Sequence, residues 1–179
     1  MTAAIEPDDF EGAGVISGPL APVQKALDVV NIVLAVASSV AILAAGVVLT
    51  WEVIGRYFLG MPSNWQDELS VFLLIGATFA SASWTQARRG HVGIDALSHV
   101  LPPRVDRVRR FVADLVALLF VAFFAWKSWE LMKEAWDDGE TTPSSWGPPL
   151  WIPYASMAYG MALLAVQLLV QTLQLGRRS

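Results

Sequence analysis

The sequence has no cysteine and few charged residues. Charged side chains make up 16% of its 179 residues and apolar ones 55%, whereas a soluble domain carries about 25% charge. Without cysteine the chain has no disulfide, no thiolate metal ligand and no cysteine nucleophile. The net charge of −4 argues against nucleic-acid binding, because a phosphate-binding surface needs a basic excess. The composition is therefore typical of a membrane protein.

Three long stretches have almost no charge and are predicted spans: 29–51, 68–87 and 152–175. The one charged residue among them is Glu68, at the start of the second span. A helix needs roughly 20 apolar residues to cross about 30 Å of hydrocarbon. A fourth span, 109–132, has 12 uncharged residues at its centre, and its flanking charges can reach the headgroups. We predict an all-α integral membrane protein with four transmembrane helices.

The regions outside these spans complete the predicted organisation. Residues 1–24 hold four carboxylates and no Lys or Arg, so they are expected to form a flexible acidic tail and not a secretory signal. Residues 25–179 form a single four-helix membrane domain. A short interfacial segment is expected between helices 1 and 2, because Arg56, Tyr57 and Trp65 are suited to the membrane–water interface.

Lysine and arginine are divided unequally between the two sides of four spans. The side that holds both termini and the middle loop has nine of them, and the other side has three. The positive-inside rule therefore predicts that both termini are cytoplasmic. Seven of the eight tryptophans map to the outer side, and only Trp84 lies near the inner end. They are typical of an aromatic belt, which could also serve as a docking surface.

The spans contain little that could bind a polar solute. Sites at membrane depth usually use ionisable side chains and broken helices, whereas the charges here lie near span ends and Pro153 stands at the start of the last span. Gly76, Ala80 and Trp84 lie on one helical face, where small residues permit close packing within the chain or against a partner. We predict a helper subunit and not a carrier.

The loop after the second span offers one alternative. His91, Asp95 and His99 recur every four residues, and two histidines with a carboxylate can bind a metal. The chain could therefore be a small membrane enzyme or metal protein. Gly90 and Gly93 disfavour a helix there, and residues eight apart on a helix are about 12 Å apart. A membrane anchor of another complex is a third interpretation.

Several short motifs occur in a recognisable order over residues 25–175. They are Arg56-Tyr57, Trp65 followed by Asp67-Glu68, Arg89-Gly90-His91 with Asp95, and Pro149 to Pro153 leading to Gly160. Together they resemble the small transmembrane subunit of tripartite ATP-independent periplasmic (TRAP) transporters. That family has an Arg-Tyr ending the first helix, a tryptophan and acids entering the second, and a Gly-His-x-x-x-Asp segment after it.

The resemblance implies an accessory subunit of a sodium-coupled, binding-protein-dependent transporter for carboxylate-type solutes in a bacterial or archaeal inner membrane. Its implied partners are a large membrane subunit with the sodium and solute sites, a periplasmic solute-binding protein, and membrane lipid. The small subunit would brace the scaffold of an elevator-type carrier, with no enzymatic activity, metal or cofactor of its own. Candidate structural or subunit-interface residues are Arg56, Tyr57, Trp65, Glu68, Gly76, Arg89, His91, Asp95 and Pro153.

Overall fold

The chain forms four α-helices in the residues that the computed structural model describes, which are 21–60, 65–88 and 102–177. The helices are α1 (Ala21–Leu59), α2 (Gln66–Ala87), α3 (Pro103–Asp137) and α4 (Trp151–Arg177). Each contains a segment long and apolar enough to cross a membrane. These ranges contain no strand, only one isolated bridge between Thr141 and Pro149. The predicted all-α protein with four spans is confirmed.

Helix α1 is longer than the span that the charges mark out. It begins at Ala21, so residues 21–24 are helical, in contrast to the tail predicted over 1–24; residues 1–20 lie outside the described residues. At about 1.5 Å per residue, its 39 residues extend to nearly twice the thickness of a bilayer core. Residues 51–59 of the expected interfacial segment are part of α1 and form its C-terminal end. The helix stops before Gly60, whose φ of 62° is typical of a helix C-terminus.

The helices pack side by side in the order α1, α2, α4, α3. The main contacts join α1 to α2, α2 to α4, and α4 to α3. Helix α4 is central, since half of its apolar segment is buried, compared with 11% for those of α1 and α3. Helices α1 and α3 therefore stand at the two ends of a row, and most of their apolar surface is free to face lipid or another protein.

A close helix contact joins α2 to α4 at a glycine. A Cβ atom on Gly160 would lie 2.5 Å from the backbone oxygen of Phe79, so only glycine permits this approach. Around it, Val121 of α3 packs with Met161, Leu164 and Leu168 of α4 to form the apolar core.

Gly76, the glycine that the sequence singled out for packing, does not make such a contact. A Cβ atom there would meet nothing within 4 Å, whereas the next residue, Ala77, is buried. The close contacts of α2 therefore involve other positions, such as Ala77 and Phe79, and not Gly76 of the predicted stripe. A role for Gly76 against a partner stays a prediction.

Candidate functional site

An ion pair whose anion is buried lies near the end of α1. Glu52 and Arg56 are one helical turn apart and form a salt bridge. The Glu52 side chain is only 3% exposed, while that of Arg56 is 54% exposed. A carboxylate withdrawn from water needs a nearby cation and hydrogen bonds, so Arg56 compensates the burial of Glu52. By contrast, Tyr57 is 81% exposed and packs little within the chain.

Sequence reasoning selected Arg56 but missed Glu52. The signal was present as the i, i+4 spacing of an acid before a base, which is a favourable helical pair. Arg56 was interpreted as an interfacial anchor, and a residue inside the first outer segment was not expected to be buried.

A groove of about 430 Å³ opens beside the start of α2. Asp67 and Glu68, which lie in the first turn of α2 as predicted, line it together with apolar residues of α2 and α4. Pro153, from the first turn of α4, lines the same groove. One oxygen of Glu68 is buried and has no hydrogen-bond partner. The structure thus brings together Glu68 and Pro153, two predicted residues from distant motifs.

The connection between α3 and α4 folds into an ordered hairpin over residues 138–150. The amide of Leu150 donates to the backbone oxygen of Glu140 and the amide of Thr142 to that of Pro148, each at 3.0 Å. The hydroxyl of Ser144 accepts hydrogen bonds from the Trp146 and Gly147 amides, at 3.2 and 3.1 Å. This segment is therefore an ordered surface feature at the end of the bundle where α2 and α4 begin.

A second groove, of about 520 Å³, also borders this hairpin. It is lined by Leu69, Phe72 and Leu73 of α2, by Ile152, and by Trp146 through Pro149 of the hairpin. Trp146 is 46% exposed. Trp65, at the start of α2, is 44% exposed and makes no side-chain cap for the helix. The end of the bundle where α2 and α4 begin therefore presents a hairpin that lines two grooves, and two exposed indole rings, those of Trp65 and Trp146.

Other tryptophans of the predicted belt pack between helices instead. Trp136 of α3 meets Trp151 of α4 edge to face, with ring centroids 4.9 Å apart. Trp129 of α3 meets Tyr159 of α4 in the same way at 5.8 Å. Such aromatic pairs stabilise a helix contact beyond their buried area, so part of the belt holds α3 onto α4.

Sequence reasoning also missed a set of buried polar side chains on the helices. On α1 the residues buried at every seventh position are Gln24, Asn31, Ser38, Ala45 and Glu52. A seven-residue repeat is typical of helix pairs that cross with a left-handed twist. The repeat is visible in the sequence, but four of its five members are polar, whereas small residues are the usual sign of a packed face in a membrane span.

Two amide pairs join this polar set to α4. The Asn31 side chain donates to Oε1 of Gln167 at 3.3 Å. The Gln86 side chain of α2 donates to Oε1 of Gln171 at 2.9 Å, and Gln171 donates back to the Gln86 backbone oxygen at 3.1 Å. In a membrane, side-chain amides that bond across helices hold them together.

The remaining predicted site residues, Arg89, His91 and Asp95, lie outside the described residues, as does His99. Within the described ranges, no group of three or more His, Cys, Asp or Glu side chains could hold a metal ion. The metal-protein alternative depends on the undescribed loop, and the structure leaves it untested.

The fold defines a multi-pass helical membrane protein. Its distinctive features are the buried polar side chains between the helices and the ordered hairpin between α3 and α4. The family model for the DctQ component of tripartite ATP-independent periplasmic transporters matches residues 45–178. The chain belongs to this family, and the predicted resemblance is confirmed. Membership also confirms the predicted multi-pass inner-membrane location, since the family model describes a transporter component and the similar proteins are named as permeases.

Three curated relatives are similar over 66% to 72% of this chain. The C4-dicarboxylate TRAP transporter small permease protein of Vibrio cholerae is 28% identical, over 66% of this chain and 60% of its own length. The ectoine TRAP transporter small permease protein of Halomonas elongata is 29% identical, over 72% and 68%. The isethionate TRAP transporter permease protein DctMQ of Oleidesulfovibrio alaskensis is 25% identical, over 68% of this chain but 20% of its own length.

Proposed function

We propose that this chain is the small subunit of a sodium-coupled, binding-protein-dependent carrier, and that it braces the large subunit instead of carrying solute. The observation that supports this most strongly is the content of the spans. Residues 29–51, 69–87 and 152–175 contain no Asp, Glu, His, Lys or Arg, whereas solute and ion sites at membrane depth usually depend on such side chains.

A large membrane partner follows from the exposed ends of the helix row. Helices α1 and α3 each leave most of their apolar segment unburied, so a further membrane protein can pack there without unfolding the chain. The Oleidesulfovibrio relative supports this proposal, since the part similar to this chain is a fifth of a much longer permease. That relative carries a region like this one within a larger membrane protein.

Co-purification tests the proposed partner. A tagged copy of the chain expressed in its own host and extracted in mild detergent should retain a large multi-span protein that mass spectrometry identifies. Reconstituted with that partner and a binding protein, it should support uptake that requires a sodium gradient. Recovery of the chain alone, or uptake by the large protein at the same rate without it, would contradict the scaffold role.

The solute class follows from the family resemblance and from one relative's name. A carboxylate-type solute is proposed, and the Vibrio relative, named for C4-dicarboxylates, supports it. The other relatives are named for ectoine and isethionate, so competition of uptake by a panel of these compounds is the deciding measurement. Strong competition by a C4-dicarboxylate is expected, and none at a large excess would contradict the proposed class.

The surface formed by the hairpin of residues 138–150 and the two grooves that it lines is the proposed docking site for the solute-binding protein. The hairpin of residues 138–150 is ordered by its own hydrogen bonds, and it lines two grooves at the end away from the basic loop. An ordered, partly apolar surface is suited to a transient protein contact.

Replacing one exposed tryptophan tests this surface. Trp146→Ala should weaken binding of the solute-binding protein to the purified complex, because indole rings dominate such contacts. Trp126→Ala is the matched control, since Trp126 is similarly exposed, at 59%, but lies on α3. Equal binding by both variants and the unmodified complex would place the docking site elsewhere.

A further inference from the structure

A small polar junction lies where α4 meets both α1 and α2 inside the membrane. The junction consists of Asn31 of α1, Ser83 and Gln86 of α2, and Gln167 and Gln171 of α4. Asn31 is 1% exposed, and Ser83 and Gln167 are both fully buried. All five side chains are uncharged, so the junction is polar without carrying any net charge.

The two amide pairs of the polar junction differ in how completely they are bonded. Gln86 and Gln171 exchange two hydrogen bonds. Asn31 and Gln167 share only one, which leaves Oδ1 of Asn31 and Nε2 of Gln167 buried without a partner. The hydroxyl of Ser83 is also buried without a partner.

Ser83 stands at the level of this incomplete pair. Helices α2 and α4 run in the same direction, since Phe79 meets Gly160 and Gln86 bonds Gln171. The residue on α4 is numbered 81 higher than its partner on α2 at the first contact and 85 higher at the second. Gln167 follows Ser83 by 84 residues, so the same pairing brings these two side chains to one level.

The unpaired atoms specify the chemistry of what can fill the gap. An unpaired polar group in hydrocarbon is costly. Asn31 Oδ1 needs a donor and Gln167 Nε2 needs an acceptor, so a cation would satisfy the first and oppose the second. An anion would do the reverse. A water molecule both donates and accepts, and buried waters typically make about three hydrogen bonds to such groups.

We propose that the polar junction holds a structural water bonded to Asn31 Oδ1, Gln167 Nε2 and the Ser83 hydroxyl. Helix α1 packs mainly on α2. The proposed water adds a hydrogen-bonded link from α1 to the central helix, α4. The water completes a three-helix contact that the amide pair alone leaves open. The inference concerns the assembly of this chain and does not depend on the proposed transport role.

Two serine variants of α2 separate a bound water from an empty gap. Ser83 and Ser70 are both buried with unpartnered hydroxyls, but Ser70 lies at the other end of α2. Removing an isolated buried hydroxyl relieves a desolvation cost, whereas removing a water ligand loses hydrogen bonds. Ser83→Ala should lower the thermal midpoint of the full chain in detergent by about 2–4 °C, and Ser70→Ala should leave it unchanged or raise it.

A structure of the full chain in a lipid disc, at a resolution that shows ordered water, is the direct measurement. The proposal expects one water peak within hydrogen-bond distance of Asn31 Oδ1 and Gln167 Nε2. A second direct bond between those two atoms with no water, or a midpoint for Ser83→Ala that matches Ser70→Ala, would overturn it. Asn31→Leu combined with Gln167→Leu removes both partners and should recover stability that either single change loses.

Discussion

Two glycines in this chain have opposite surroundings although both lie inside spans. Gly160 faces the α2 backbone, where a Cβ atom would meet the Phe79 oxygen at 2.5 Å, while a Cβ atom on Gly76 would meet nothing within 4 Å. Backbone atoms cannot move aside as a flexible side chain can, so the cost of a methyl group differs sharply between the two positions.

Gly160→Ala should therefore destabilise the chain by about 1–3 kcal/mol, the usual cost of overpacking. Gly76→Ala should be neutral, or stabilising by up to about 1 kcal/mol, because alanine is the better helix former. Denaturant unfolding in one detergent measures both. If the two variants unfold alike, α2 and α4 do not approach as closely as described.

The Glu52–Arg56 pair can be compared with an exposed pair on α3. Lys127 and Glu130 lie 2.7 Å apart with side chains 53% and 47% exposed, whereas Glu52 is 3% exposed against 54% for Arg56. The two cations are equally exposed, so the burial of the anion is the main difference.

Arg56→Ala should lower the free energy of unfolding by about 2 kcal/mol or more, because it removes a cation from a buried carboxylate. Lys127→Ala should cost less than about 1 kcal/mol, as exposed pairs do. Equal losses in a denaturation experiment would show that Glu52 is compensated by other groups. A high-salt measurement adds a check, since screening weakens the exposed pair more and should reduce the loss caused by Lys127→Ala more than the loss caused by Arg56→Ala.

At the scale of single residues, the sequence pointed to individual positions but did not indicate which contacts their side chains make. Arg56, Glu68 and Pro153 were selected for motif position, and the structure places each at a contact or a groove. The packed face of α2 could not be predicted, since lipid-facing and helix-facing sides are both apolar in a span. Small residues at Gly76 and Ala77 fit either choice, and only the neighbouring helix decides between them.

Among the connecting elements, the hairpin of residues 138–150 depends on one side chain. The Ser144 hydroxyl accepts hydrogen bonds from two backbone amides, and Gly147 adopts a φ of 58° that glycine tolerates best. Ser145 is exposed and bonds neither amide, so it is a matched control one residue away.

Ser144→Ala should accelerate hydrogen exchange at the Trp146 and Gly147 amides by several-fold, since one lost hydrogen bond is worth about 1 kcal/mol. Ser145→Ala should leave those rates unchanged. The Leu150 amide, bonded to Glu140, is an internal reference within the same hairpin. Unchanged exchange in the Ser144 variant would mean that the helix ends alone hold the hairpin.

The spans themselves were predictable, but the helix ends were not. Charge gaps locate the part of a helix that sits in hydrocarbon, and all four predicted spans fall inside helices. A helix continues, however, as long as its backbone hydrogen bonds do, so α1 extends to Ala21 at one end and Leu59 at the other. Hydropathy indicates whether a helical segment prefers hydrocarbon or water, and it does not show how far the helix continues into the headgroup region.

On the scale of the whole molecule, the order of the helices in the row is the least predictable feature. All the spans are apolar, so hydropathy offers no preference for pairing α2 with α4 or for leaving α1 and α3 at the ends. The polar contacts that do discriminate, Asn31 with Gln167 and Gln86 with Gln171, join residues 136 and 85 positions apart. Family membership identified the class of protein independently of this arrangement.

The orientation of the whole molecule can be tested directly because the chain contains no cysteine. Single variants Ser98→Cys, Ser145→Cys and Ser179→Cys place one thiol in the middle loop, the outer hairpin and the C-terminus. Nine of twelve basic residues lie on the side of the termini and middle loop, so that side should face the cytoplasm.

A membrane-impermeant maleimide added to intact spheroplasts should therefore label only Ser145→Cys. The other two variants should react after permeabilisation, which also shows that their thiols are accessible. Labelling of Ser98→Cys or Ser179→Cys in intact cells would invert the topology and move the proposed docking surface to the cytoplasm, where a periplasmic binding protein could not reach it.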